Sequence, residues 1–82
     1  MLERIKEIIR LHAHLNSDPA TLPENADLYE AGMTSHSSVN VMLALEDAFD
    51  VEFPDHMLTR GVFGSMAAIQ SALLEMKAHA PA

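Results

Sequence analysis

The stretch GMTSHSSVNVMLALEDAFD, residues 32–50, sets three serines and a histidine directly in front of an apolar run. At about 100° per residue, Val41, Leu45, Ala48 and Phe49 fall on one side of a helix with Met42 at its margin. This spacing predicts a helix from Ser35 to about Asp50. Serine is a favoured N-cap, which makes Ser35 the expected cap, and Gly32 just before it allows a tight approach. The opposite side gathers His36, Val39, Asn40, Leu43 and Asp47, so two sizeable aliphatic groups stand among polar and acidic neighbours on a face the core does not need. Taken singly, Val39 and Leu43 also fit ordinary surface positions.

Outward from this segment the chain reads as helices and loops, with no strand pattern and no internal repeat. Leu2, Ile5, Ile8, Ile9 and Leu15 recur near the helical period and predict a first helix over 2–15. Glu3 and Glu7 lie in position to pair with Lys6 and Arg10. Residues 16–34 carry two prolines and several turn formers, and predict a long loop pinned by Leu22, Leu28 and Met33. A short helical turn is expected after Pro54, over 55–60. Ser65 is the expected cap of a last helix in which Met66, Ile69, Leu73 and Met76 keep helical spacing and Lys77 complements the C-terminal end of the dipole. The tail 78–82 is expected to fray. The fold class is therefore all-α, with three longer helices, one short one and a long connection between the first two, in a single domain spanning 1–82.

Composition narrows what such a domain does. A chain of 82 residues buries only about 60% of its unfolded surface, too thin a core for the deep pocket of a usual enzyme. Cysteine is absent, so disulfides and thiolate metal sites are excluded, while 49% hydrophobic residues supply the core instead. No apolar run approaches about 18 residues and the N-terminus lacks a secretory apolar block, which predicts no membrane span and a cytoplasmic setting. Between Arg10 and Arg60 there is no Lys or Arg, yet that interval holds all the acids except Glu3, Glu7 and Glu75, nine of the 12. Its negative field repels phosphate backbones, which argues against nucleic acid, and draws in basic partners. A solvated acidic surface that keeps the chain soluble is the commoner meaning of such composition.

The chemical constellations are weak. Ser35 and His36 are adjacent, and adjacent helical residues do not face each other, so a nucleophile–base pair is not expected. The five histidines include no i, i+4 pair, so no metal site is expected either. No glycine-rich phosphate loop occurs, and the six methionines sit at core-like spacings. What remains is a hydroxyl at the positive end of a helix, where an attached anion is favoured, although a serine there is most often a cap and nothing more.

The segment DLYEAGMTSHSSVNVMLALEDAFDVEFPD, residues 27–55, resembles the central signature of acyl carrier proteins and peptidyl carrier domains, in which a leucine-glycine-hydrophobic-Asp-Ser-Leu motif opens the second helix. Val39, Leu45, Glu46, Phe49, Phe53 and Pro54 continue that frame, and Phe63, Ser65, Met66 and Ile69 fit the start of the fourth helix. The resemblance implies a small four-helix bundle of acyl carrier protein type, non-catalytic and monomeric. It implies that Ser35 receives 4'-phosphopantetheine from coenzyme A through a magnesium-dependent phosphopantetheinyl transferase. The terminal thiol of that arm would hold cargo as a thioester. Thr34, His36, Val39, Asn40, Leu43, Glu46 and Asp47 would form the surface read by basic patches on partner enzymes.

Two positions depart from the motif: Thr34 replaces the usual Asp, and His36 the usual Leu. The first removes a carboxylate near the transferase and its metal; the second removes an apolar docking group of the kind fatty-acid synthase partners use. With the run AFDVEFPDHMLTR, residues 48–60, the combination is similar to bacterial aminoacyl carrier proteins, loaded by amino acid:carrier protein ligases that resemble truncated seryl-tRNA synthetases. The cargo implied is a small amino acid such as glycine or alanine. A fatty-acid or polyketide carrier is the alternative within the family. Two others belong to different classes: an interaction module without a prosthetic group, and a small metal or hydrolytic protein built on the histidines.

Overall fold

Four helices are laid down in chain order: α1 (Leu2–His12), α2 (Ser35–Phe49), α3 (Arg60–Phe63) and α4 (Met66–His79). The computed structural model describes residues 1–79. Among these there is no strand, and single 3-10 turns at Pro19–Thr21 and Asp55–Met57 interrupt the loops.

The long helices form where the apolar period predicts them, and their shared faces make the core. Ile5, Ile8 and Ile9 of α1, Val41 and Leu45 of α2, and Met66, Ile69, Ala72 and Leu73 of α4 are buried together. α1 packs against both α2 and α4. Helix α1 ends earlier than the expected Leu15, because the chain reverses at His14, whose φ of 57° lies in the left-handed region. The Asn16 N–H then donates to the Ala31 carbonyl at 2.8 Å, drawing the loop toward the start of α2 instead of prolonging α1.

The 16–34 connection is held as expected by Leu28 and Met33, both buried, with Leu22 partly buried against them. Backbone bonds do as much. The Leu28 N–H donates to the Gly64 carbonyl at 2.7 Å and the Ala67 N–H to that of Glu24 at 2.8 Å, so the loop is tied to the α3–α4 junction. Gly32 has a φ of +121°, and a Cβ there would meet the Asn16 side chain at 3.0 Å, which is why glycine sits directly ahead of α2.

The expected helical turn over 55–60 is split. Asp55–Met57 forms the 3-10 turn after Pro54, and the third helix begins only at Arg60, where the Thr59 side chain accepts the Val62 N–H at 3.3 Å. Too few residues lie between Pro54 and Phe63 to show a period, and the threonine cap decides the start. Phe53 and Phe63 meet across this segment with ring centroids 5.1 Å apart and planes tilted by 59°, anchoring it to the core. Ser65 caps α4 as expected, accepting the Ala68 N–H at 3.1 Å. The expectation for the tail falls on 78–82; α4 runs through His79 and residues 80–82 lie outside the described residues.

Candidate functional site

The start of α2 is organised differently from the sequence expectation. Its N-cap is Thr34, not Ser35. Thr34 has extended backbone angles and its Oγ1 accepts the Ser37 N–H at 3.0 Å; the Ser37 Oγ accepts the Thr34 N–H at 2.9 Å in return. This reciprocal capping box satisfies a helix-end donor and occupies both hydroxyls. Ser37 is buried, and the Ser38 hydroxyl donates to the Ser35 carbonyl at 2.8 Å.

Ser35 is thereby the serine left over. It is the first residue inside the helix, it is exposed, and its hydroxyl makes no hydrogen bond among the described residues. The amides of Ser35 and His36 belong to the first turn and have no acceptor within the helix, so negative charge attached at this point is favoured. A 4'-phosphopantetheine phosphodiester fits these features: an accessible oxygen, unpaired amides behind it and open space beside it.

That space is a cleft of about 340 Å³ between α2 and the α3 segment. Ser35 lines it together with Val39 and Met42 of α2, Leu58 and Phe63 opposite, and Tyr29 and Arg60. Tyr29 is placed by Asp27, whose Oδ1 accepts the Tyr29 N–H at 2.9 Å and the Glu30 N–H at 3.3 Å. The Arg60 guanidinium carbon stands 4.3 Å from the Tyr29 ring centroid, a cation–π contact. The sequence reading missed Tyr29, Leu58 and Arg60. The available signal is Arg60 itself, the residue that ends the cation-free interval.

Of the seven docking candidates, His36, Val39, Asn40, Leu43 and Asp47 share one face by the helical period, and Thr34 is the cap at the end of the helix. Val39 is 49% exposed and Leu43 53%, with Thr34, His36 and Asp47 exposed and Asn40 half-buried beside them. Glu46 departs from the group. Its Oε2 accepts the Phe53 N–H at 2.8 Å, so this carboxylate closes the turn after α2. Among the described residues no cluster of His, Asp or Glu is arranged to hold a metal ion, and no helix is long and apolar enough to cross a membrane.

Comparison with known proteins agrees with this geometry. Residues 3–69 match the family model described as the phosphopantetheine attachment site. The aminoacyl carrier protein of Agrobacterium fabrum is 44% identical over 84% of this chain and 83% of its own. An acyl carrier protein of Caulobacter vibrioides is 36% identical over 67% and 69%. Among solved structures, the Agrobacterium tumefaciens carrier protein complexed with an engineered Bradyrhizobium japonicum glycine:carrier protein ligase and AMP superposes with a TM-score of 0.87 at 42% identity, covering 90% of this chain and 99% of that one. A glycylated carrier protein complexed with the Bradyrhizobium japonicum ligase superposes with a TM-score of 0.73 at 28% identity, over 87% and 95%. With a family match across four-fifths of its length and a helix mouth that leaves one serine free, the chain belongs to the phosphopantetheine-attachment-site family of carrier proteins.

Proposed function

We propose that this chain is an aminoacyl carrier protein: Ser35 bears 4'-phosphopantetheine, and the arm holds a small amino acid, glycine foremost, loaded by an amino acid:carrier protein ligase. The observation that carries the assignment to Ser35 is the division of labour at the helix mouth. Thr34 and Ser37 satisfy each other, Ser38 donates to the backbone, and only Ser35 presents an uncommitted hydroxyl to solvent. When bound, the arm supplies a terminal thiol able to form a thioester.

The chain's own residues attach and present. Ser35 fixes the anchoring oxygen at the end of a rigid helix whose core face is locked by Val41 and Leu45. The first-turn amides favour the phosphodiester's charge. Val39 and Leu43, with His36, Asn40 and Asp47, offer the adjoining face of α2 to the ligase and to the phosphopantetheinyl transferase. Bond making belongs to those partners, and the carrier acts as a monomer. Aminoacyl cargo is favoured over fatty acyl cargo by the relatives: the 44%-identical one is an aminoacyl carrier protein, and a 28%-identical one was solved glycylated on its ligase.

Intact mass tests the proposal. Incubation with coenzyme A, magnesium and a broad-specificity transferase adds one phosphopantetheine to the wild type and none to Ser35→Ala, and a glycine:carrier protein ligase with ATP then adds one glycyl group. Modification of Ser35→Ala to the wild-type extent removes the site assignment. Loading by a fatty acyl synthetase but not by the glycine ligase moves the chain to the fatty-acid carriers.

A further inference from the structure

Arg60 is the sole Lys or Arg between Arg10 and Lys77, in a chain of net charge -7, and it lines the same cleft as Ser35. Nothing acidic claims it: among the described residues the salt bridge formed is Arg10–Glu7, and Arg60 touches no carboxylate. It rests instead on the Tyr29 ring. An aromatic face attracts a guanidinium without accepting its in-plane N–H groups, so the contact holds the side chain in place and leaves its donor fork free. The backbone that carries the ring is held by the two N–H groups, of Tyr29 and Glu30, that donate to Asp27 Oδ1. An unpaired cation resting on an aromatic face in a strongly acidic protein is suited to an anion, and the cleft it lines also presents the exposed hydroxyl of Ser35.

We infer that Arg60, held on Tyr29, is a positioning residue for the phosphodiester carried by Ser35. This rests on the proposed attachment at Ser35. A guanidinium recognises phosphate oxygens through charge-assisted and often bidentate hydrogen bonds, which lysine matches in charge but not in geometry. Such a contact would bias the first atoms of the arm toward the cleft that Ser35 and Arg60 both line. The charge that would neutralise the phosphodiester then belongs to the first residue of α3. The cation lies on an exposed side chain, so the contact weakens as salt screens it.

The test uses holo protein whose single added arm has first been verified by mass. Failure to add the arm counts against the attachment at Ser35; every later outcome bears on Arg60. In the wild type, conversion from apo to holo shifts the Arg60 Nε–H resonance, and the 31P resonance of the folded holo protein is offset from that of the same protein unfolded in urea. In Arg60→Gln the 31P offset disappears with the arm still attached, and in Arg60→Lys part of it returns. Raising the salt concentration to about 1 M shrinks the wild-type offset and leaves that of Arg60→Gln unchanged. Circular dichroism of the apo variants checks that the four helices remain. A 31P position common to all three proteins, or a wild-type Arg60 Nε–H resonance indifferent to modification, overturns the assignment.

Discussion

At the α2 mouth, five consecutive polar residues, Thr34 to Ser38, have separate fates because one reciprocal pair commits two of their hydroxyls. Thr34 adopts the extended conformation a cap needs, and its partner three residues on is Ser37. Stability is therefore expected to track Thr34 and not Ser35. Thr34→Ala should cost about 1 kcal/mol, the usual value of a lost cap, whereas Thr34→Asp, which retains an acceptor, should change stability by only a few tenths of that. Ser35→Ala should lie within about 0.5 kcal/mol of wild type, as an exposed substitution that removes no capping hydrogen bond does. Urea denaturation of the apo proteins gives the ranking, and an order in which Ser35→Ala is the most damaging of the three would reinstate it as the cap. The sequence reading placed the cap one residue late for a physical reason. A capping box is recognised by Glu or Gln at its third helical position, and here a short serine reaches back instead, so Thr34 carried no visible signature. The proposal of Ser35 does not depend on which oxygen caps the helix, since it rests on the register of the family frame and on the hydroxyl that the capping box leaves uncommitted.

Elements with three or more turns were legible because their apolar period repeats often enough to be read: the faces of α1, α2 and α4 that the sequence marks are those buried. The α3 segment was not, because a 3-10 turn and a four-residue helix are shaped by caps and long-range ties. One such tie makes Glu46 a closure between elements. It reaches from α2 to the Phe53 N–H, and the Phe53 ring in turn packs at a tilt against Phe63 at the cleft wall. Glu46→Ala should cost about 1.5–3 kcal/mol, the range for a hydrogen bond to a charged group, with Glu46→Gln losing less because its amide oxygen still accepts. An unchanged stability of Glu46→Ala, measured by thermal or urea unfolding, would show that the carboxylate's bond to Phe53 contributes nothing. On α1 the pairing of Glu7 with Arg10 is open to titration. The hydrogen bond from Arg10, with the charge of its guanidinium, holds the Glu7 carboxyl below the usual carboxylate range. A depressed folded-state pKa gives stability that is present above the unfolded value and lost as pH falls through the folded one. Arg10→Gln should move the Glu7 midpoint upward in a carboxyl NMR titration, and an unmoved midpoint would dismiss the pairing in solution.

Across the whole molecule, charge and exposed apolar surface are divided between faces in a way that assigns them different kinetic roles. Three of the five cations, Arg4, Lys6 and Arg10, are on α1; α2 has none, and Glu46, Asp47, Asp50, Glu52 and Asp55 follow one another along its second half and the turn beyond. Within that acidic setting Val39 and Leu43 remain about half exposed. Charge of one sign acts over roughly a Debye length and speeds encounter with a basic partner, while aliphatic groups act only at contact and set how long the complex lasts. Stopped-flow measurement with an amino acid:carrier protein ligase separates the two. Raising ionic strength from about 0.05 to about 0.5 M should lower the association rate constant by about tenfold, at the lower end of electrostatic steering effects. Leu43→Ser should leave association nearly unchanged and raise dissociation by about tenfold. Complete burial of a leucine is worth about 1.5–3 kcal/mol, and covering the exposed half of this one, about 1.4 kcal/mol, corresponds to a factor of ten. If salt alters only dissociation, or Leu43→Ser alters neither rate, the ligase docks elsewhere and the apolar face of α2 is ordinary surface.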